Sequence, residues 1–513
     1  MTGPQTATSR YPDTVSRRFI TASVMAATVM NSLDSTIANV ALPHIQGSVS
    51  ASGEEITWVL TSYIVAAAIM TPLTGWLAGR FGRKRLMLWS IVGFTTVSGL
   101  CGIANSLGEL VGFRLLQGVF GAALVPMSQA ILLDINPPER HGPAMAVWGM
   151  GAILGPIIGP ALGGWLTDNL SWRWVFYINL PIGALAFAGL SAFLTETKDA
   201  ARPRLDLFGF AMLALAIGSL QLMLDRGQTK DWFSSTEICI EAALGLFFGY
   251  LFAAHTLTAK APFIDIAMFK DRNFLTGSIF GFFLGTVLFG VLALLPTMLE
   301  TLMGYPVVLT GLVTAPRGIG TLISMIVVGR LIKTVDARVL IFVGFAIAAF
   351  SLHLMSGFSL GMDERLVIMS GFIQGIGTGL VFVPLTTIAF ATLDPRYRNE
   401  GAAMFTLTRN IGSAVGISTL QALTIRNGAS VHARLVEGIR PDNPLLPQGF
   451  DFDAPAAVAM LNAQITRQAA MVSYVDAFWL LFLLTLAVIP LLLLMRGPRA
   501  RGGGGEAPTI HMD

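Results

Sequence analysis

Apolar windows of about 20 residues recur along the chain, beginning near residues 19, 56, 86, 108, 144, 175, 206, 237, 274, 307, 338, 366, 401 and 475. Each is long enough for a helix to cross the roughly 30 Å hydrocarbon core of a bilayer. About fourteen such windows predict an all-α polytopic membrane protein with fourteen transmembrane helices. An even number of crossings leaves both termini on one side. That side collects most of the 33 Lys and Arg, among them Arg17, Arg18, Arg83, Lys84, Arg85, Lys198, Arg202, Arg204, Arg496, Arg499 and Arg501. Excess positive charge marks the cytoplasmic face, so both termini are expected there. Three arginines, Arg114, Arg317 and Arg409, stay inside apolar windows.

Composition narrows the class further. Of the 513 residues 54% are hydrophobic and 12% charged, with a mean hydropathy of +0.68, far more apolar than a soluble domain. A net charge of +3 provides no clustered basic surface of the kind nucleic acid requires. Cys101 and Cys239 both fall in apolar windows, which suits neither a disulfide framework nor a metal site, and no cofactor is expected. Without a cleavable signal pattern, the first window is expected to remain as a helix.

The chain also echoes itself. Gln117-Gly118, Leu124-Val125-Pro126, Arg140, Gly142 and Ala144-Met145 are followed much later by Gln374-Gly375, Pro384, Arg398, Gly401 and Ala403-Met404. Two halves of like orientation follow, related by an axis along the membrane normal. The expected organisation is a tail at 1–18, a six-helix bundle at 19–196, two inserted helices at 206–255, a second six-helix bundle at 274–495, and a flexible tail at 496–513. Within the second bundle, 426–474 is expected to be a long external loop. It carries turns at Arg440-Pro441-Asp442-Asn443-Pro444 and an amphipathic helix from Pro455 to Val472 whose ridge is Val458, Leu461 and Ile465. Such a loop either caps the bundle or docks a partner.

Against this apolar background a few polar residues stand out. Asp34 lies inside the first span, where an ionised group costs several kcal/mol and usually faces a polar cavity. The alternative is a neutral acid serving only to pack two helices. Helix four carries Arg114, Gln117, Gly118 and Gly121 on one side. At 1.5 Å per residue Asp34 lies about 12 Å, and Arg114 about 9 Å, below the outer ends of their helices, at similar depth. Opposite charge favours the ionised carboxylate and desolvation the neutral acid, so a residue balanced between them can load and release a proton. Asn31, Asn39, Gln117, Gln374 and Arg409 are candidates for a substrate cavity, Arg409 and Arg317 being equally able to hold backbone carbonyls.

Two further stretches bear on movement. Helix five reads Gly151, Gly155-Pro156, Gly159-Pro160 and Gly163-Gly164, a small-residue face that lets backbones approach closely while the prolines permit kinks. This suits either plain helix packing or a rocking transporter. Between helices two and three, Gly75, Arg80, Gly82, Arg83 and Lys84 form a tight basic turn, read either as a cytoplasmic gate or as positive-inside anchoring.

At these residues the chain resembles the major facilitator superfamily, in its fourteen-helix drug/proton antiporter branch, and most closely the EmrB-type multidrug efflux permeases. Leu33-Asp34-Ser35-Thr36 with Asn39-Val40-Ala41-Leu42-Pro43 resembles that branch's first-helix motif. Gly155, Gly159-Pro160 and Gly163-Gly164 match its helix-five motif, and Arg114 with Gln117-Gly118 is similar to the helix-four motif implicated in proton coupling. Gly79 stands where the superfamily's loop motif usually has Asp. The resemblance implies a major facilitator fold and a proton-coupled antiporter exporting lipophilic compounds across a bacterial inner membrane. It also implies an EmrA-type periplasmic adaptor and a TolC-type outer-membrane channel as partners, besides the lipid bilayer. A non-transporting sensor or scaffold is the competing class. No phosphate-binding Gly-Lys loop or His-Glu-x-x-His pattern points to an enzyme.

Overall fold

The computed structural model describes residues 12–196, 205–440 and 453–495. The basic residues at 198, 202, 204, 496, 499 and 501, the two extreme tails and the turns expected at 441–444 lie outside the described residues. All regular structure among the described residues is helical. The first part contains α1 (Thr14–Val49), α2 (Trp58–Met70), α3 (Leu73–Phe81), α4 (Arg83–Ile103), α5 (Leu107–Gly121), α6 (Leu124–Ile135), α7 (His141–Asn169), α8 (Trp174–Tyr177) and α9 (Asn179–Phe193). Then come α10 (Leu207–Arg226) and α11 (Thr236–Thr258). The last part contains α12 (Arg272–Thr301), α13 (Val307–Leu331), α14 (Ala337–Met355), α15 (Glu364–Ala391), α16 (Arg398–Glu437) and α17 (Pro455–Val488).

Among the described residues, eleven helical stretches are long and apolar enough to cross a membrane, and twelve if α2 and α3, bent by 58°, form one span. The bend falls at Pro72, whose ring cannot continue the regular helical ladder. Two long helices, α1 and α16, are not among those stretches. Polar residues interrupt both: Asn31, Asp34 and Asn39 in α1, and Arg398, Glu400, Arg409 and Asn410 in α16.

The helices pack as two like halves. In the first, α1 lies against α7 and α9, α5 against α2 and α4, and α4 against α9. In the second, α12 lies against α16 and α17, α15 against α13 and α14, and α14 against α17. The sequence echo is therefore an echo of packing. One hydrogen-bond motif repeats as well: Thr36 Oγ1 donates to the Ser32 and Gly155 carbonyls, and Thr286 Oγ1 to the Phe282 and Gly412 carbonyls.

Contacts between halves concentrate at the end where α1 begins and α17 terminates. There α7 packs on α13 and α15, and α16 on α3 and α6. Trp148, fully buried, stacks on Phe382 with ring centroids 5.6 Å apart. Asp134 binds Arg83 of its own half and Arg398 of the other, the second pair at 3.1 Å. At the opposite end α10 joins the halves: Asp225 accepts from Thr61 of α2, and the Leu224 carbonyl accepts from Ser418 of α16.

One expected element is different in the structure. Residues 426–474 are not a loop carrying a separate amphipathic helix, because α16 runs on to Glu437 and α17 begins at Pro455. No Gly or Pro interrupts 456–488, so the helix from Pro455 passes unbroken into the last apolar stretch. Forty residues of α16 reach roughly 60 Å, about twice a bilayer core. The two helices thus form a hairpin extending beyond the bundle. It is held by Asn427 donating to Asp476 (2.5 Å), by His432 Nε2 lying 3.0 Å from Asn462 Oδ1, and by Arg467 donating to the Leu302 carbonyl (3.0 Å).

The Asp134 cluster sits where Gly142 packs against Ile332 of the opposite half. Asp134→Asn removes the anion shared by Arg83 and Arg398, pairs worth on the order of 1 kcal/mol each at a half-exposed site. A cysteine placed at Ile332, with the exposed native Cys239 changed to Ser, is expected to react with a soluble maleimide several-fold faster in the Asp134→Asn background. An unchanged rate would show that the cluster does not hold this end shut.

Candidate functional site

α1, α2, α4, α5 and α9 converge on one buried carboxylate. Asp34, Arg114, Gln117, Ser98 and Asn179 are all 0% exposed. Arg114 Nη1 donates to Asp34 Oδ2 at 2.7 Å and to Gln117 Oε1 at 2.7 Å. Gln117 Nε2 and Asn179 Nδ2 each donate to Asp34 Oδ1 at 2.9 Å. Asn179 also donates to Ser98 Oγ (3.0 Å), and Ser98 donates to the Phe176 carbonyl (2.9 Å). Arg114 Nε donates to the Val59 carbonyl (3.1 Å), and its guanidinium carbon lies 4.3 Å from the Tyr63 ring centre. Both Asp34 oxygens are thus bonded, as a buried carboxylate requires.

The local sequence explains why these groups meet. Arg114 and Gln117, three apart on α5, share a helix face, so the guanidinium and the amide reach the same carboxylate. Gly118 lies on that face too, where an added Cβ would collide with the Tyr63 carbonyl, and its bareness brings α5 close to α2. On the other flank, added Cβ atoms at Gly155 and Gly159 of α7 would collide with Ser32 and Thr36 of α1, and one at Gly163 would lie 2.8 Å from Ile37 Cγ1. The α1 residues these glycines meet, Ser32, Thr36 and Ile37, bracket Asp34 in sequence, so the contacts pin α7 to the helix that bears it. Pro156 and Pro160 lie inside the unbroken α7, while Gly164 has only an ordinary contact with Val40.

The remaining candidates divide. Asn31 accepts from the Tyr63 hydroxyl (3.1 Å) at the edge of the network. Asn39 is exposed on α1 and takes no part in it. Gln374 and Arg409 sit in the second half, Gln374 buried with neither amide atom bonded, and Arg409 with its guanidinium carbon 5.8 Å from the Phe382 ring centre. The expected basic turn is reduced to Gly82, because Gly75 and Arg80 lie in α3 and Arg83 and Lys84 in α4. Gly75 packs on the Glu400 backbone across the halves. Gly82 adopts φ +93, a conformation glycine accepts readily. Arg83 binds Asp134, Lys84 donates to the Ser191 carbonyl (2.8 Å), and Arg80 is exposed.

Sequence reasoning missed Asn179, Ser98, Tyr63 and Asp134. Asn179 alone left a signal, an amide followed by Leu180-Pro181 in an apolar window. Asp134 looked like an ordinary end-of-span acid, and its partner Arg398 is distant in sequence.

Two pseudo-symmetric helical halves with a charge network buried inside one of them are the construction of a membrane solute carrier. Residues 24–417 match the Major Facilitator Superfamily family model. The chain is 37% identical over 494 residues to the multidrug export protein EmrB of Escherichia coli (strain K12), covering 95% of this chain and 96% of that one. It is 36% identical over 501 residues to the fatty acid resistance protein FarB of Neisseria gonorrhoeae, covering 95% and 98%. In fold it is similar to the human organic anion transporter MFSD10 (TM-score 0.57, 15% identity, 91% of this chain and 99% of that one). It is likewise similar to the proton:xylose symporter XylE (TM-score 0.59, 14% identity, 93% and 96%). The chain belongs to the major facilitator superfamily and, within it, to the EmrB-type efflux permeases. It is a multi-pass membrane transporter.

Extra volume at Gly155 or Gly159 has nowhere to go without parting α1 from α7, and such overpacking typically costs about 1–3 kcal/mol. Gly159→Leu is expected to cut export turnover at least about tenfold while dye binding is better preserved. Turnover measured in proteoliposomes at the wild-type rate would refute this.

Proposed function

We propose that the chain is a proton-coupled antiporter that exports lipophilic drugs by alternating access, with Asp34 carrying the proton and Arg114 answering its charge. The Asp34 network carries this reading. Protonating Asp34 removes the charge that Arg114 pairs with, and leaves the guanidinium with uncharged partners: Gln117, the Val59 carbonyl and the Tyr63 ring. The event is felt at once by α1, α5 and α9, and through the glycine contacts by α7. An inward proton moving through 100 mV supplies about 2.3 kcal/mol, so the gradient serves in place of a cofactor.

The same reading makes α1 and α16 the two spans that join the twelve apolar ones, giving fourteen helices in two six-helix bundles with α10 and α11 inserted. Both termini face the cytoplasm of a bacterial inner membrane, in keeping with the basic residues at that end. The Arg83, Asp134 and Arg398 cluster then closes the cytoplasmic side. Asp34→Asn is expected to abolish pH-driven dye exchange in proteoliposomes while the protein still inserts. Accumulation against a gradient at the wild-type rate would overturn the assignment.

A tripartite assembly with an EmrA-type periplasmic adaptor and a TolC-type outer-membrane channel belongs to this proposal. Compound released between two membranes diffuses back unless a conduit takes it onward. The hairpin of α16 and α17 is the extended external feature that would meet an adaptor, with Leu435, Val436, Val458 and Met460 exposed near its tip, Met460 at 68%. Changing Val436 and Met460 together to Asp is expected to lower drug resistance in cells and leave dye exchange in proteoliposomes intact. Loss of both would assign the hairpin to the permease itself, and loss of neither would remove it as a docking surface.

A further inference from the structure

Two contacts repeated in both halves set a local correspondence between them, and it places an apolar residue of the second half opposite the carboxylate of the first. The repeated threonine motif pairs Ser32 with Phe282 and Thr36 with Thr286, so Asp34 of α1 corresponds to Leu284 of α12. Gly118 of α5 packs on the Tyr63 carbonyl, and Gly375 of α15 on the Arg317 carbonyl. That contact pairs Tyr63 with Arg317, and with it Gln117 with Gln374 and Arg114 with Gly371. In the first half the cation comes from α5 and lies over Tyr63. In the second, the arginine comes from α13, at the place of Tyr63.

The second half therefore keeps a buried cation and a buried amide, and puts a leucine where the carboxylate stands. Arg317 is 7% exposed, its Nη2 donates to the Leu288 carbonyl at 2.9 Å, and no carboxylate pairs with it among the described residues. Gln374 is 1% exposed, and neither its amide nitrogen nor its oxygen has a hydrogen-bond partner. A cation and an amide left this way in a membrane bundle carry a desolvation penalty that a bound anion relieves. Arginine suits a planar carboxylate, which it can meet with two parallel N–H bonds.

We propose that Arg317 and Gln374 form a receptor for the anionic head, a carboxylate, of an amphipathic substrate, whose oxygens take the place that Asp34 holds in the first half. This rests on the reading of the chain as an exporter. One half then binds the proton and the other the anion, through copies of one architecture that differ at Asp34 and Leu284. A substrate carboxylate leaving and a proton entering both move in the direction that an inside-negative potential favours.

The test uses an isosteric pair, naphthalene-1-carboxylate and naphthalene-1-carboxamide, titrated calorimetrically into the purified full chain. Wild type is expected to bind the carboxylate at least about tenfold more tightly than the carboxamide. Arg317→Gln is expected to erase that preference and to keep carboxamide binding, and Arg317→Lys to retain most of it. Leu284→Asp, which leaves the arginine in place and fills the gap with the protein's own carboxylate, is expected to lose the preference as well, and it reads the same site should Arg317→Gln fail to fold. An undiminished preference in Arg317→Gln or Leu284→Asp, or none in wild type, would overturn the proposal. So would displacement of the carboxylate by chloride as effective as by unlabelled naphthalene-1-carboxylate, which would mark a site for small inorganic anions. Failure of dye exchange in wild-type proteoliposomes would strike the exporter reading while leaving the binding difference intact. Absence of the preference in wild type, with dye exchange intact, strikes this inference alone.

Discussion

One carboxylate held in the interior of an apolar bundle sets the terms for this protein. Asp34 is tolerated because Arg114, Gln117 and Asn179 bring three donors to its two oxygens. Breaking such a pair by removing one partner commonly costs about 3–5 kcal/mol, since the other charge is left uncompensated. The packing around it follows. Bare glycines on α5 and α7 let α2 and α1 close on the network, and the fully buried Arg114 is roofed by the Tyr63 ring. A buried site on which five helices converge links a change of charge to a change of packing, because no helix in it moves without its neighbours.

The halves share a packing plan and differ in chemistry. The first concentrates its polarity around Asp34. The second carries Arg317, Gln374 and Arg409 with no carboxylate paired to either arginine among the described residues. Where they meet, Trp148 on Phe382 and the Asp134 cluster close one end, while α10 spans the other through Thr61 and Ser418. Rocking of one half on the other must therefore break polar contacts at one end and strain a bridge at the other.

Much of this was legible from residue order alone. Each apolar window falls on one helix or on consecutive helices joined end to end, because window length is set by bilayer thickness rather than by tertiary detail. The windows near 19 and 401, however, lie in α1 and α16, which are not among the stretches apolar enough to cross a membrane. The meeting of Asp34 and Arg114 followed from counting 1.5 Å per residue, and the helix-five glycines from their spacing of four. Ser98 was not legible, and Asn179 only as an amide in an apolar span, since one polar residue there does not say which neighbour it faces. The hairpin of α16 and α17 was misread as a loop because hydropathy reports where apolarity ends, not where a helix ends. Residues such as Ala429, Ala433, Leu435, Ala459 and Leu461 keep good helix propensity after the membrane is left behind.

The central claim is that substrate exchange changes the protonation of Asp34. Purified protein in weakly buffered detergent, mixed with a transported dye while a soluble indicator follows pH, tests this without a membrane or a gradient. A proton release on dye binding that is present in wild type and absent in Asp34→Asn is the predicted result. The same release from Asp34→Asn would contradict the account, since the proton would then come from another group.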